Sequence, residues 1–218
     1  MARQLRLSLG RPGERSRDQF VVGPSNRQAV ASLDAWPGWH GGALALIGPQ
    51  GCGKSHLAGA WAKAAGAVAL DRAAPDLELA ARAPALLEDV DRGVPAEALF
   101  HLINIAARPG AGLLMTARRA PAAWTAELPD LRSRLNALQI AEIEAPDDEV
   151  LEGVLRRFFR ERHIRPPEGV YPYLLRRMER SIPDAAEMVR RLDEAGDDQW
   201  KPVTRALARQ ILEAGEDG

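Results

Sequence analysis

The chain has 218 residues, 46% of them hydrophobic and 27% charged, enough to bury one sizeable core with a small satellite beside it and too apolar for disorder throughout. Its 29 basic residues face 30 acidic ones, so no global positive field draws it to phosphate polymers, and direct contact with DNA is local or absent. A single cysteine, Cys52, excludes an internal disulfide and a cysteine-based zinc site and fits a reducing, cytoplasmic compartment; no apolar run reads as a signal peptide or membrane anchor.

Residues 1–18 are expected to form a solvated tail. The first twenty residues carry five arginines against Glu14 and Asp18, with Pro and Gly between. Within them QLRLSL sets Gln4 ahead of Leu5, Leu7 and Leu9 at alternate positions. Taken alone, the hexamer reads either as an ordinary frayed strand or as an apolar peptide that a partner's groove covers.

Ser25 followed by Gln28 predicts a capping box opening a helix with Ala29, Val30 and Leu33 on its inner face. PGWHGG then breaks the chain. ALALIG reads as a buried strand, and AVAL, ALLEDV, GLLMTA and LQIAEI repeat that pattern with helical stretches between them. Short apolar runs alternating with helices predict an α/β fold over residues 19–146, with a five-stranded parallel sheet covered on both faces. From Asp147 the character changes. DDEVLEGVLRRFFRERHI carries a helical apolar stripe through Val150, Leu151, Val154, Leu155, Phe158 and Phe159, with acids at its positive end. Residues 147–218 are expected to form a separate all-helical lid.

Gly48, Pro49, Gln50, Gly51, Cys52, Gly53, Lys54 and Ser55 match G-x-x-x-x-G-K-[ST] without a mismatch, between a strand and a helix. A loop without bulky side chains wraps its N–H groups around a β-phosphate while the next helix aims its dipole at the same charge. Lys54 is expected to meet the β/γ oxygens and Ser55 to ligate Mg²⁺, with ADP or ATP as the cofactor. Cys52 contributes mainly its backbone, and bound nucleotide is expected to slow its alkylation. His40, His56, His101 and His163 lack paired metal spacing and read as surface or packing residues, although His56, next to Ser55, is also grouped with the nucleotide contacts.

In ALLEDV the apolar run is followed by two acids, Glu88 for Mg²⁺ and Asp89 for the attacking water, in the reverse of the usual Asp-Glu order. A longer side chain at the metal position and a shorter one at the water position misplace both ligands, so weak intrinsic hydrolysis is expected. Trp36 and Trp39 are read as core cover. The arginines of RRFFRERHIR are read as a solvated helix face, with contact to DNA held by another protein as the alternative.

These elements resemble the AAA+ ATPases, and FVVGPSNRQAV, LLMTARRAP, DLRSRLNAL and the stretch from RHIRPPEG to MVRRL are similar to segments of the DnaA family over about residues 19–212. The resemblance implies that Val21 and Val22 lie near adenine, that Thr116 tips the sensor 1 strand, and that Arg134 stands at the arginine-finger position. Two departures are plain. The chain ends at Gly218, where the family continues into a DNA-reading domain, and the sensor 2 arginine is expected to fall at Asp184, which instead reads as a capping residue of a helix begun by Ser181.

A DnaA-like ATPase without a DNA-reading domain resembles the Hda-like regulators of replication initiation, which begin with a clamp-docking peptide like Gln4–Leu9. That likeness implies the DNA polymerase III beta sliding clamp and DnaA as partners, DNA contacted only through the clamp, a possible homodimer and no membrane. Its arginine finger acts on the ATP of DnaA. The rival reading is an autonomous AAA+ ATPase such as a helicase loader or DnaA-like remodeller, distinguished by brisk basal hydrolysis.

Overall fold

The computed structural model describes residues 16–126, 128–199 and 202–216; the clamp peptide Gln4, Leu5, Leu7 and Leu9 lies outside the described residues. Five parallel strands stand in the order β2-β3-β4-β1-β5, with β1 at Ala43–Ile47, β2 at Val68–Ala69, β3 at Ala85–Leu87, β4 at Leu113–Ala117 and β5 at Gln139–Glu142. Every residue of β1 and β4 is buried, because helices cover both faces of the sheet, and that is why these strands read as unbroken apolar runs. The two-residue side-chain period still sorts them. Ala43, Ala45 and Ile47 enter one apolar cluster, whereas Leu44 and Leu46 enter the other.

Helices α1 (Arg27–Asp34) and α2 (Lys54–Ala65) lie on the face of Leu44 and Leu46, and α3 (Leu77–Arg82), α4 (Ala96–Ala106) and α5 (Pro129–Asn136) on the other. Trp36, Trp39 and Trp61 pack together on the first face, with Trp39 and Trp61 stacked at 5.1 Å, and the Trp39 indole N–H donates to the Ser32 carbonyl at 2.7 Å. The capping box at Ser25 does not form. Helix α1 begins at Arg27 without a side-chain cap, and the Ser25 N–H instead donates to Asp147 Oδ2 at 2.8 Å. Tertiary contact overrides the local pattern here.

After Asp147 the chain is helical: α6 at Asp148–Glu161, α7 at Val170–Leu175, α8 at Ile182–Gln199 and α9 at Arg205–Glu216. Their inner faces share an apolar cluster of their own, centred on Leu151, Leu155, Phe159, Leu174, Val189 and Leu192. Asp147 caps α6 by accepting the Val150 N–H at 2.9 Å. The helical part sits directly on the sheet part, since a methyl group on Gly23 would fall 2.6 Å from Val150 Cγ2. Among the described residues, no helix is long and apolar enough to cross a membrane.

Candidate functional site

The strand register fixes which residues share an edge. Ile47 pairs with Ala117 and Leu87 with Met115, so the residues that follow β1 and β3 emerge beside the tip of β4. Gly48, Glu88, Asp89 and Thr116 are therefore brought to one edge of the sheet.

From β1 the chain turns through the glycine loop directly into α2, whose first residue is Lys54. Gly48 must be glycine because a methyl group there would lie 2.1 Å from the Ile143 carbonyl oxygen, a neighbour that cannot yield. Lys54 is buried, and its Nζ donates to the Gly48 and Pro49 carbonyls at 2.7 Å each, so the ammonium is held inside the curve of the loop. Pro49, Gln50 and Ser55 are exposed. Cys52 is buried, and burial pushes its thiol pKa up although the Lys54 ammonium opposes the shift.

The helical part closes one side of this loop. The Ile182 N–H donates to the Gly51 carbonyl at 2.9 Å, and a methyl group at Gly51 would meet Ser181 Cβ at 2.9 Å and Pro183 Cδ at 3.2 Å. Ser181 Oγ accepts the Asp184 N–H at 3.2 Å, and the Ser181 hydroxyl donates to the Asp184 carboxylate. The side chains nearest Gly51 are thus Ser181 and Pro183, while Asp184 completes the cap. Arg190 is paired with Glu187 and Glu194 at 2.5 Å each.

Beside the loop, Phe20, Val21, Gly53, His56, Val154 and Ile182 contribute to a small cleft of about 40 Å³. Phe20 meets the His56 ring edge-on at 5.6 Å, and Asn26 braces the segment by donating to the Val21 carbonyl at 2.9 Å and accepting the Gly23 N–H at 3.0 Å. Val22 is exposed. From α6, Arg157 donates to the Gln19 carbonyl, and burial pushes its pKa down.

At the tips of β3 and β4, Asp89 adopts the left-handed conformation with φ 55° and donates its N–H to Thr116 Oγ1 at 3.0 Å; its carboxylate pairs with Arg92 at 3.1 Å. Thr116 is buried, so its hydroxyl serves this turn. Asp91 was not singled out by sequence reasoning. Its Oδ2 accepts the Arg118 N–H at 3.1 Å and lies 4.0 Å from Arg119 Nε, while its buried Oδ1 has no hydrogen-bond partner among the described residues. Only the extra acid in the run Asp89-Val90-Asp91 hinted at it. Among the described residues, no cluster of three or more His, Cys, Asp or Glu side chains forms a ready metal cage.

Arg134 lies elsewhere. It sits in the last turn of α5, exposed, with its guanidinium 5.5 Å from the Phe100 ring centroid. Because β5 follows α5 and runs parallel to β1, with Gln139 paired to Leu44, Arg134 stands at the edge where β1 begins. It lines a groove of about 590 Å³ with His40, Ala43, Phe100, Asp130 and Ser133. The phosphate loop leaves the other end of β1, about 15 Å further along the strand.

The fold as a whole is similar to that of solved structures. Domain III of the Thermotoga maritima replication initiation protein DnaA superposes with a TM-score of 0.74 at 20% identity, covering 92% of this chain and 96% of that one. The fold is that of an AAA+ P-loop module. AMPPCP-bound DnaA from Aquifex aeolicus gives a TM-score of 0.65 at 18% identity over 81% of this chain and 64% of that one. In sequence, the chromosomal replication initiator protein DnaA of Thermomicrobium roseum is 26% identical over 91% of this chain. The chain is similar to DnaA in sequence, and it spans about half, 49%, of that relative's length. No protein-family model matches it.

Proposed function

We propose that this DnaA-related AAA+ module is a nucleotide-binding, Hda-type regulator that lowers replication initiation by stimulating hydrolysis of ATP on DnaA, with its amino-terminal peptide held by the sliding clamp. The observation that carries this reading is the position of Arg134. An exposed guanidinium at the edge opposite the chain's own phosphate loop is badly placed to serve that loop and well placed to serve a neighbour's.

The residues around the loop fit a nucleoside di- or triphosphate, ADP or ATP. Gly48 and Gly51 stand where a side chain would clash, Lys54 is fixed within the curve, and Phe20, Val21 and Ile182 give the adjoining cleft apolar walls, which would have to part beyond its 40 Å³ to take a base. Ser55 and Glu88 would hold Mg²⁺, which when bound neutralises phosphate charge. Asp89 would orient a water, but its Arg92 partner and left-handed backbone spend the carboxylate on local structure, which favours slow turnover at this site. The nucleotide here then mainly ties the lid to the sheet.

Arg134 has a different task in this account. Its planar fork would donate to phosphate oxygens of the triphosphate on DnaA as charge develops there, an effect worth about 10³ to 10⁵ in rate. Stacking on Phe100 orients the fork before the partner arrives. Gln4, Leu5, Leu7 and Leu9 supply the clamp contact, leucines in an apolar groove and the amide at its rim.

The test is ATP hydrolysis by DnaA with clamp loaded on DNA, with and without this chain. Stimulation that disappears with Gln4→Ala plus Leu5→Ala supports both the regulator and its tether. Brisk hydrolysis by this chain alone, unaffected by DnaA, supports the autonomous ATPase instead.

A further inference from the structure

The lid distributes its charge unevenly. In and beside α6 and α8 most arginines pair with carboxylates: Arg156 with Glu152 and Glu168, Arg157 with Glu161, Arg162 with Asp193, Arg180 with Asp148, and Arg190 with Glu187 and Glu194, while Arg160 and Arg191 form no ion pair among the described residues. At the seam of α7 and α9 the pattern stops. Arg176, Arg177 and Arg205 are exposed and form no ion pair among the described residues.

Two of these cations share one aromatic ring. The Arg177 guanidinium lies 4.2 Å and that of Arg205 4.9 Å from the centroid of Tyr173, which is itself buried. Like charges gathered on one ring repel each other, and among the described residues no carboxylate pairs with either arginine. Arg205 also opens α9, where the helix dipole adds positive charge. Arg209, one turn further along α9, extends the same face; its contact to Glu213 is long, at 3.7 Å, and largely in solvent.

We propose that this seam is a binding surface for the phosphate backbone of duplex DNA, with Arg177 and Arg205 as its principal contacts and Arg209 as a flanking one. Contact with Tyr173 holds each guanidinium at the ring, and a planar fork of N–H donors suits phosphate oxygens. Duplex DNA supplies closely spaced phosphates, about one charge per 1.7 Å of axis, so a compact group of arginines meets several at once. An acidic peptide seldom sustains that density. The contact is local and independent of sequence, in keeping with a net charge of −1 for the whole chain. This inference is independent of the clamp and DnaA reading, because it is tested on the chain alone.

The experiment is fluorescence anisotropy of a labelled duplex of about two helical turns, titrated with the full chain at several salt concentrations. Micromolar to submillimolar binding at low salt is expected, weakening as salt rises. Arg177→Ser plus Arg205→Ser is expected to reduce the slope of log K against log salt by about 1.8, whereas Arg190→Ser leaves it unchanged. Lysine at both positions should retain the slope, since charge sets it. A thermal melt matching the parent shows that the double variant is folded. The proposal is overturned by absence of duplex binding at low salt, by an unchanged slope in the serine variant, or by binding that goes to anionic vesicles or a poly-glutamate probe and not to DNA.

Discussion

The carboxylate of Asp147 accepts the backbone N–H of Ser25, 122 residues away in sequence, at 2.8 Å. The same group caps α6 through the Val150 N–H at 2.9 Å, so one side chain both starts the lid and ties it to the segment beside the phosphate loop. Burial pushes its pKa up, but the hydrogen bonds from Val150 and Ser25 outweigh that and hold it below its ordinary value near 3.8.

A folded-state pKa below the unfolded one means that ionised Asp147 stabilises the native chain. That contribution is complete above the ordinary carboxylate range and disappears as pH falls through the folded value. Asp147→Ala is expected to cost about 1–2 kcal/mol at pH 7, the usual range for a lost cap and a buried bond. In urea unfolding at a series of pH values, the gap between parent and variant should narrow below pH 4. A constant gap would assign the loss to packing instead.

The turn after β3 depends on Thr116. Replacing it with Val keeps the shape but removes the acceptor for the Asp89 N–H, leaving a donor in a partly buried turn that already holds Asp89 at φ 55°. The expected cost is about 1–3 kcal/mol, and Thr116→Ser should recover most of it. Chemical denaturation measures the loss. Weaker Mg²⁺-dependent nucleotide binding in the Val variant would connect the turn to Glu88 and Asp89.

Cys52 is 1% exposed with its thiol pKa raised by burial. Alkylation by iodoacetamide in the native chain is therefore expected to be slower than in urea by roughly two orders of magnitude. Because the thiol reacts only when the loop opens, ADP bound to the closed loop is expected to slow labelling further; equal rates with and without ADP would count against binding at this loop.

The phosphate loop was legible in sequence because its spacing obeys local geometry: a strand must end, turn tightly past Ile143 and enter a helix within a few residues. The five strands were legible for a related reason, since burial on both faces leaves them apolar at every position. Other features answer to partners distant in sequence. Ser25 matches a capping box, yet Asp147 recruits it. Asp91 gains its role only when β4 brings Arg118 alongside. At the start of α8 a step of one residue rotates a side chain by about 100°, which is why Pro183, and not Asp184, meets Gly51. The position of Arg134 also depends on topology, because only the parallel pairing of β5 with β1 sets it at the edge away from the loop.

The most direct measurement compares DnaA-bound ATP turnover, with clamp on DNA, in the presence of the parent chain, Arg134→Ala or Arg134→Lys. With clamp capture and nucleotide affinity unchanged, the alanine variant should lose stimulation by about 10³-fold or more and lysine should restore little of it. Full stimulation by a folded Arg134→Ala chain would contradict the account, because the stimulation is assigned to that guanidinium.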